Sequence, residues 1–182
     1  MTSQRMFQNA NKIAYLVQQY PEHKLTEIIG LLQMPAIEIN TAIWRATEEG
    51  FISEPDKDNG TIELLKAPET WDFGTTVNDI KDMLLYSFAE LSKKETDLEE
   101  NYLSQWTAGY PTHDILIATR HLLETKELAQ YMIEDKDSTY TFFTLYENRD
   151  KLWGRQQFKI DPLDGPGDSA HQVEEGEVTD EN

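Results

Sequence analysis

The sequence predicts a mainly α-helical chain with small β-hairpins, organised as two similar units in tandem and followed by a disordered acidic C-terminal tail. Two observations predict this fold class. Apolar residues recur at spacings of three and four over several segments, a period typical of amphipathic helices. The order of helical segments followed by a hairpin occurs twice along the 182 residues, a length that suits two modest cores.

Three helices and a hairpin are predicted for residues 1–66. Helical periodicity indicates the helices, and proline and glycine mark their ends. The polar run EPDKDNG ends in Asn59-Gly60, a favoured tight turn for a hairpin. The predicted elements are a helix over 4–20 ended by Pro21, a shorter helix over 25–32, a third helix over 35–49 stopped by Gly50, and a two-stranded wing at 51–52 and 61–65.

This order of elements resembles the winged-helix branch of the helix-turn-helix superfamily, through LTEIIGLLQMPAIEINTAIWRATEEGFI and the wing that follows. Similar segments in that group form a positioning helix, a turn, a recognition helix and a wing. The resemblance covers about the first third of the chain and is one of pattern, without a diagnostic motif. It implies that the third helix is a recognition helix and that the protein acts in transcription or replication control.

A second pass of the same order is predicted for residues 76–148, after a linker at 67–75. The run EDKDSTYTFFTL at 134–145 echoes EPDKDNGTIELL at 54–65. One helical domain with two hairpins is the alternative to the tandem arrangement. The predicted elements are a helix through Val77, Ile80, Leu84, Phe88 and Leu91, a helix through Leu98, Tyr102, Leu103 and Trp106, a third helix with Thr112 as N-cap, and strands over 128–133 and 140–145.

Residues 149–160 are predicted to form a basic helix that also carries aromatic side chains. Lys151, Arg155 and Lys159 recur at spacings of four, so a helix places them on one face. Cations beside aromatic rings suit the backbone and bases of a nucleic acid. The alternative is a helix whose aromatic residues cap the core while its cations reach outward.

Residues 161–182 combine proline, glycine, serine and acids with almost no large apolar residue. Such a segment cannot offset its ordering entropy, so we expect it to be disordered. It holds eight acids and no Lys or Arg. A flexible anion beside a basic helix could compete with nucleic acid, and a tail that only improves solubility is the alternative.

Charge and composition limit the possible functions. The net charge is −18, from 16 Lys and Arg against 34 Asp and Glu, so DNA contact requires a local basic patch. The absence of cysteine excludes disulfides and thiolate zinc sites and favours a reducing cytoplasm. No stretch approaches the roughly 20 apolar residues that span a bilayer, and no signal peptide is recognisable, so we expect no membrane partner.

Candidate nucleic-acid contacts lie on the third helix of each unit. Asn40 could bind an adenine edge and Arg45 a guanine edge, and Arg120 offers a second cation. Acids on the first of these helices and on the wing would meet phosphates at close range. The alternative is that Arg45 pairs with Glu48 or Glu49 on a solvated face.

Catalytic motifs are absent from the sequence. It has no GxxxxGK[ST] phosphate loop, HExxH zinc motif, GxSxG elbow or GxGxxG fingerprint. The four histidines form no recognisable ligand set, and His113 is interpreted as an exposed side chain near a helix start. We therefore expect no catalytic residue, no metal and no cofactor. A small enzyme whose site is assembled from dispersed carboxylates is the alternative.

Two functional hypotheses follow. The first is a non-enzymatic winged-helix regulator that binds DNA through Asn40, Arg45, Arg120 and the basic helix. The second is an acidic interaction module, or a mimic of DNA charge, that binds a basic protein without contacting DNA.

Overall fold

The computed structural model of the chain describes residues 2–92, 98–99, 103, 105–135, 138–149 and 159–160. These residues are mainly helical and include an antiparallel β-hairpin, as predicted. Their helices are α1 (Ser3–Gln19), α2 (Leu25–Leu31), α3 (Ala36–Glu48), α4 (Thr75–Ser92) and α5 (Thr112–Glu124), with a 3₁₀ turn at Tyr146–Asn148. Their strands are β1 (Leu98–Glu99), β2 (Leu128–Asp135), β3 (Ser138–Leu145) and β4 (Lys159–Ile160), in the sheet order β1-β3-β2-β4.

The three helices predicted for the first 66 residues are present close to their expected bounds. The Thr2 hydroxyl caps α1 by accepting the Arg5 N–H at 3.3 Å. Pro35 is the N-cap of α3, because its fixed φ suits the start of a helix. A hairpin follows α3, with Ile52 bridged to Leu64.

The loop of this first hairpin differs from the two-residue turn expected at Asn59-Gly60. The Asp56 N–H donates to the Thr61 carbonyl, and the Gly60 N–H donates to the Asp56 carbonyl, both at 2.9 Å, so four residues form the loop. The Asp56 carboxylate also accepts the N–H groups of Asp58 and Asn59, at 2.8 and 3.0 Å. Side-chain acceptors therefore select a longer loop than the dipeptide alone indicates.

Strands β2 and β3 confirm the second predicted hairpin and extend it at the tip. Two details of this half were predicted wrongly. Leu98, expected in a helix, lies in β1 and pairs with Phe143, which covers one edge of the hairpin. Thr112, expected as N-cap, is the first residue of α5, and Pro111 is the N-cap.

Most of the predicted basic helix and tail lies outside the described residues. Lys159 is described, and it lies with Ile160 in β4, paired with β2, instead of at the end of a helix. Strand pairing supplies the backbone hydrogen bonds that a helix would otherwise supply. Outside the described residues lie Lys151, Arg155 and the tail 161–182.

Helices α3 and α5 begin and end with the same backbone geometry. Equivalent residues of the two helices are 76 apart in sequence. Pro35 and Pro111 are their N-caps. Both helices end in the same pair of backbone hydrogen bonds, a Schellman motif, around a residue of positive φ. That residue is Gly50 after α3, with φ 70°, and Lys126 after α5, with φ 56°.

The two hairpins also follow the same pairing scheme. In each half, the first residues after the third helix pair with the end of the second hairpin strand. In each half, a segment that follows the first helix pairs with that same second strand. The equivalent pairs are Ile52–Leu64 and Leu128–Leu145 within the hairpins, and Lys24–Thr61 and Glu99–Phe142 beside them.

One hydrophobic cluster joins both halves of the described chain, with α1 at its centre. Residues 9–17 of α1 are buried on every side, whereas its periodicity predicted a single buried stripe. Phe73, in the predicted linker 67–75, is buried and packs edge-to-face on Tyr15 with ring centroids 5.1 Å apart. The division into units at 1–66 and 76–148 stays a prediction, and the shared core is observed.

Two glycine-to-alanine substitutions are expected to change stability in opposite directions. Gly50→Ala places a side chain at positive φ and should lower the free energy of unfolding by about 1 kcal/mol. Gly30→Ala acts within α2, where the added Cβ meets open space, and should raise it by about 0.5–1 kcal/mol. Urea unfolding followed by circular dichroism measures both, and a change of the same sign in both variants would contradict this account.

Candidate functional site

Helix α3 presents an outward face that no described element covers. We call it the open face of α3, and it consists of Ile37, Asn40, Thr41, Trp44 and Glu48. Ile37 is 73% and Trp44 53% exposed. These two residues are seven apart, about two helical turns, and therefore lie on one side of the helix.

The opposite side of α3 packs into the core through Ile39, Ala42 and Ala46. Ile37 and Trp44 were not among the predicted site residues. A signal was available, because both fall outside the apolar stripe that the other residues form at helical spacing. Large apolar side chains on the polar side of a helix indicate a contact surface.

The predicted recognition residues of α3 have different surroundings. Asn40 is exposed on the open face. Arg45 is half-buried and forms an ion pair with Glu49, one of the two acids that the alternative interpretation named. Its guanidinium is therefore already neutralised by its own helix.

The corresponding face of α5 is covered. The backbone equivalence of α3 and α5 places Arg120 at the position of Trp44 and His113 at the position of Ile37. Arg120 is half-buried, and His113 is 2% exposed, so the expectation of an exposed histidine was wrong. Side chains of α1 bind Asp114 and Glu124 on this side of α5, and the Gln33 N–H binds His113, contacts that no local sequence pattern indicates.

The contact between α1 and α5 is polar at both ends. The Lys12 ammonium donates to the Asp114 carboxylate at 2.5 Å, and both side chains are buried. At the other end, the Tyr15 hydroxyl donates to Glu124 at 2.9 Å, and the Gln19 amide donates to the same carboxylate. Burial, followed by the charge of Glu124, raises the pKa of the Tyr15 hydroxyl, so it remains a donor.

A row of α1 side chains binds three carboxylates, in the first turn of α3, just before the start of α4 and in the first turn of α5. Acidic groups at helix N-termini are favourable because they complement the helix dipole. The row borders a polar cleft of about 350 Å³. The pairs are Arg5–Glu38 at 3.0 Å for α3, Gln8–Asp72 at 3.2 Å for α4 and Lys12–Asp114 at 2.5 Å for α5.

The charged groups that line this cleft are already paired with one another. Arg5 bonds both oxygens of Glu38, and Lys12 bonds Asp114. Among the described residues, no group of three or more His, Asp or Glu side chains is placed to hold a metal ion. Through these pairs, α1 connects the first turns of α3 and α5 along the cleft.

His113 is held in its neutral form beside this row. Its Nδ1 accepts the backbone N–H of Gln33 at 3.1 Å, which assigns the proton to Nε2, 3.3 Å from the Asp114 carboxylate. Burial lowers the pKa of His113, and the Lys12 charge lowers it further against the opposing effect of Asp114. Burial and Lys81 also lower the pKa of His121.

Part of the predicted basic and aromatic segment is described. The Arg149 guanidinium lies 3.8 Å from the centroid of the Tyr146 ring, and the Lys126 ammonium lies 5.6 Å from it. Both cations are thus within range of a cation–π contact with the chain itself.

Comparison with known proteins does not assign the chain to a family. No protein-family model matches it, and no curated protein or solved structure is significantly similar to it. None of the described helices is long and apolar enough to cross a membrane.

Removal of the buried cation of α1 is expected to destabilise the protein strongly. Lys12→Met leaves the buried Asp114 carboxylate without its partner, so we expect the free energy of unfolding to fall by about 3 kcal/mol. Arg5→Met is the matched control on the same helix. The Arg5 side chain is 61% exposed, so its loss should cost less than about 1 kcal/mol. Equal losses in urea unfolding would contradict the structural role of the Lys12–Asp114 pair.

Acidification is expected to lower stability through the buried histidines. The folded-state pKa of His113 lies below its ordinary value of 6.5, so the unfolded chain binds a proton first as the pH falls. Stability should therefore decline as the pH drops below about 6.5. In His113→Asn, the Asn amide oxygen can accept the Gln33 N–H, and this variant should lose less stability between about pH 7.5 and about pH 5.5. If the difference in unfolding free energy between the wild type and His113→Asn did not change with pH, the role of His113 in acid sensitivity would be contradicted.

Proposed function

We propose that this chain is a non-enzymatic interaction module of the winged-helix type, which uses the open face of α3 to bind a basic protein in a nucleic-acid transaction. The observation that carries the proposal is the exposure of Ile37 and Trp44 on a helix that also presents the acid Glu48. Aromatic and aliphatic residues within a polar rim are typical of the centre of a protein interface.

The repeated contacts support the tandem winged-helix assignment. Both halves share the proline N-cap, the Schellman motif and the pairing of the hairpin with the segment after the first helix. In this assignment, α3 and α5 are the two recognition-like helices. Only α3 has its outward face free of other described elements, so the proposal places the binding function there.

The charges near α3 favour a basic partner. Arg45 is paired with Glu49, and the hairpin that follows α3 exposes more acids than bases. A phosphate backbone would meet repulsion there, whereas Lys and Arg of a protein would meet attraction. The exposed charged residues of the hairpin are Glu54, Asp56, Asp58 and Glu63, against Lys57.

Direct DNA binding in the cytoplasm is the second candidate function. The exposed amide of Asn40 favours it, because an exposed asparagine on a recognition helix can bind an adenine edge. Arg45, Arg120, Lys151, Arg155 and Lys159 are the cations that this candidate would use.

Affinity capture from a nuclease-treated extract of the source cells tests the protein-binding candidate. We expect the full chain to retain a specific protein, and Trp44→Ala to reduce the retained amount about tenfold, equivalent to about 1.4 kcal/mol. Tyr86→Ala is the matched control, because Tyr86 is an exposed aromatic residue on α4. Retention should fall as salt rises. Equal retention by the wild type and Trp44→Ala would count against the open face.

A fluorescence anisotropy titration with duplex DNA tests the second candidate. If DNA is the ligand, the full chain should bind at low ionic strength, with an affinity that falls steeply as salt rises. Asn40→Ala should then weaken binding by about 1–3 kcal/mol. No binding at about 20 mM salt would remove direct DNA contact.

A further inference from the structure

We infer that the open face of α3 receives a basic, amphipathic α-helix of its protein partner, with a hydrogen-bond donor that reaches Glu48. The inference rests on the proposed function and specifies its ligand. Its basis is a contact that the chain already makes elsewhere, between α1 and α5.

Helix α1 shows how a helix lies on this kind of surface. Lys12, Tyr15 and Gln19 follow one another at spacings of three and four, so they lie on one side of α1. Together they bind two acids of α5, Asp114 near its start and Glu124 at its end. The contact thus combines an ion pair at one end with two neutral donors on a carboxylate at the other.

The same two acids recur on α3. The offset of 76 residues that relates the two N-caps places Glu38 at the position of Asp114 and Glu48 at the position of Glu124. Glu38 is bound by Arg5. Glu48 is exposed, and no described residue donates a hydrogen bond to it. Helix α3 therefore keeps one acid of the pair free for a donor from outside.

The apolar residues of the open face fit the middle of such a helix. Ile37 and Trp44 lie about two helical turns apart on the open face. An amphipathic helix covers such a distance with apolar residues at spacings of three, four and seven. On α5 the corresponding positions hold His113 and Arg120, which are buried and half-buried. Conversely, Asn40 and Thr41 correspond to Leu116 and Ile117, so the two faces carry their apolar residues at different positions.

Charge selects a basic partner helix over a second copy of this chain. The most exposed aromatic residue of α4, Tyr86, lies on a face with Asp79 and Asp82. That face would set acids against Glu48, and the chain as a whole carries a net charge of −18. A helix with lysine or arginine gains attraction instead.

Synthetic helical peptides test the inference on the full chain. The probe is a fluorescein-labelled, alanine-rich peptide with Lys, Tyr and Gln at the spacing of Lys12, Tyr15 and Gln19. One comparison peptide has proline at its centre and cannot form the helix. We expect the helical peptide to bind at least about tenfold more tightly than the proline peptide. A third peptide, with glutamate in place of lysine, should bind more weakly than the first.

Matched variants of the protein locate the binding site. We expect Trp44→Ala and Glu48→Lys each to weaken binding of the helical peptide about tenfold. Tyr86→Ala and Asp82→Lys make the same changes on exposed positions of α4, and the Kd should remain within about twofold. Circular dichroism of each variant checks that it is folded. Equal binding of the proline peptide, or equal effects of the α3 and α4 variants, overturns the inference.

The outcomes separate this inference from the function on which it rests. If capture of a protein depends on Trp44 but no helical peptide binds, the interaction module stands and the helical ligand is wrong. If neither protein capture nor peptide binding depends on Trp44, the proposed function and the helical ligand are both wrong. Light scattering measures the oligomeric state of the wild type and of both variants. If the wild type is a dimer and both Trp44→Ala and Tyr86→Ala are monomers, a second copy of the chain occupies the open face and the inference of a basic partner is wrong.

Discussion

The burial of α1 on all sides is the constraint on which the rest of the structure depends. A helix that is enclosed all round is normally apolar, but this one carries Asn9, Asn11 and Lys12 among its buried residues. Buried polar groups require partners, and other elements deliver them to Asn9 and Lys12, whereas the Asn11 amide has none among the described residues. Asp114 reaches Lys12 from α5, and Glu38 reaches Asn9 from α3, at 3.4 Å. The positions of those two helices are thereby coupled to one another through α1.

This coupling makes two similar halves unequal. The two helices that follow proline N-caps have equivalent backbone geometry, but α1 lies on the outward face of α5 and leaves that of α3 open. The residues agree with these surroundings. His113 accepts the Gln33 N–H and lies beside Asp114, and Arg120 is half-buried, whereas Ile37 and Trp44 remain in solvent. In the proposed tandem arrangement, one recognition-like surface stays open and the other serves internal packing.

Local signals predicted the elements well. Helical periodicity, Pro21, Pro35 and Gly50 fix the three N-terminal helices, and alternating β-branched and aromatic residues predict the second hairpin, because each of these signals acts over a few residues. Leu98 was misassigned because its spacing from later apolar residues also suits a helix, and its true partner, Phe143, is distant in sequence.

The candidate site was harder to predict for the same reason. Asn40 and Arg45 were chosen for their chemistry, yet the pairing of Arg45 with Glu49 and the exposure of Trp44 depend on how α3 packs. His113 is buried against remote residues, among them Gln33, which lies 80 residues earlier in the chain. Periodicity identifies one buried face of a helix, and it does not report a second face covered by a remote element.

The order of synthesis also affects when α1 acquires its contacts. Lys12 leaves the ribosome 102 residues before Asp114, the group that neutralises it. During that interval the nascent chain holds a helix with one side packed on α3 and another side, including Tyr15, without its cover. Contacts of such long sequence separation form late and slow the final step of folding. The first half of the polypeptide therefore exposes this side of α1 until α5 has been synthesised.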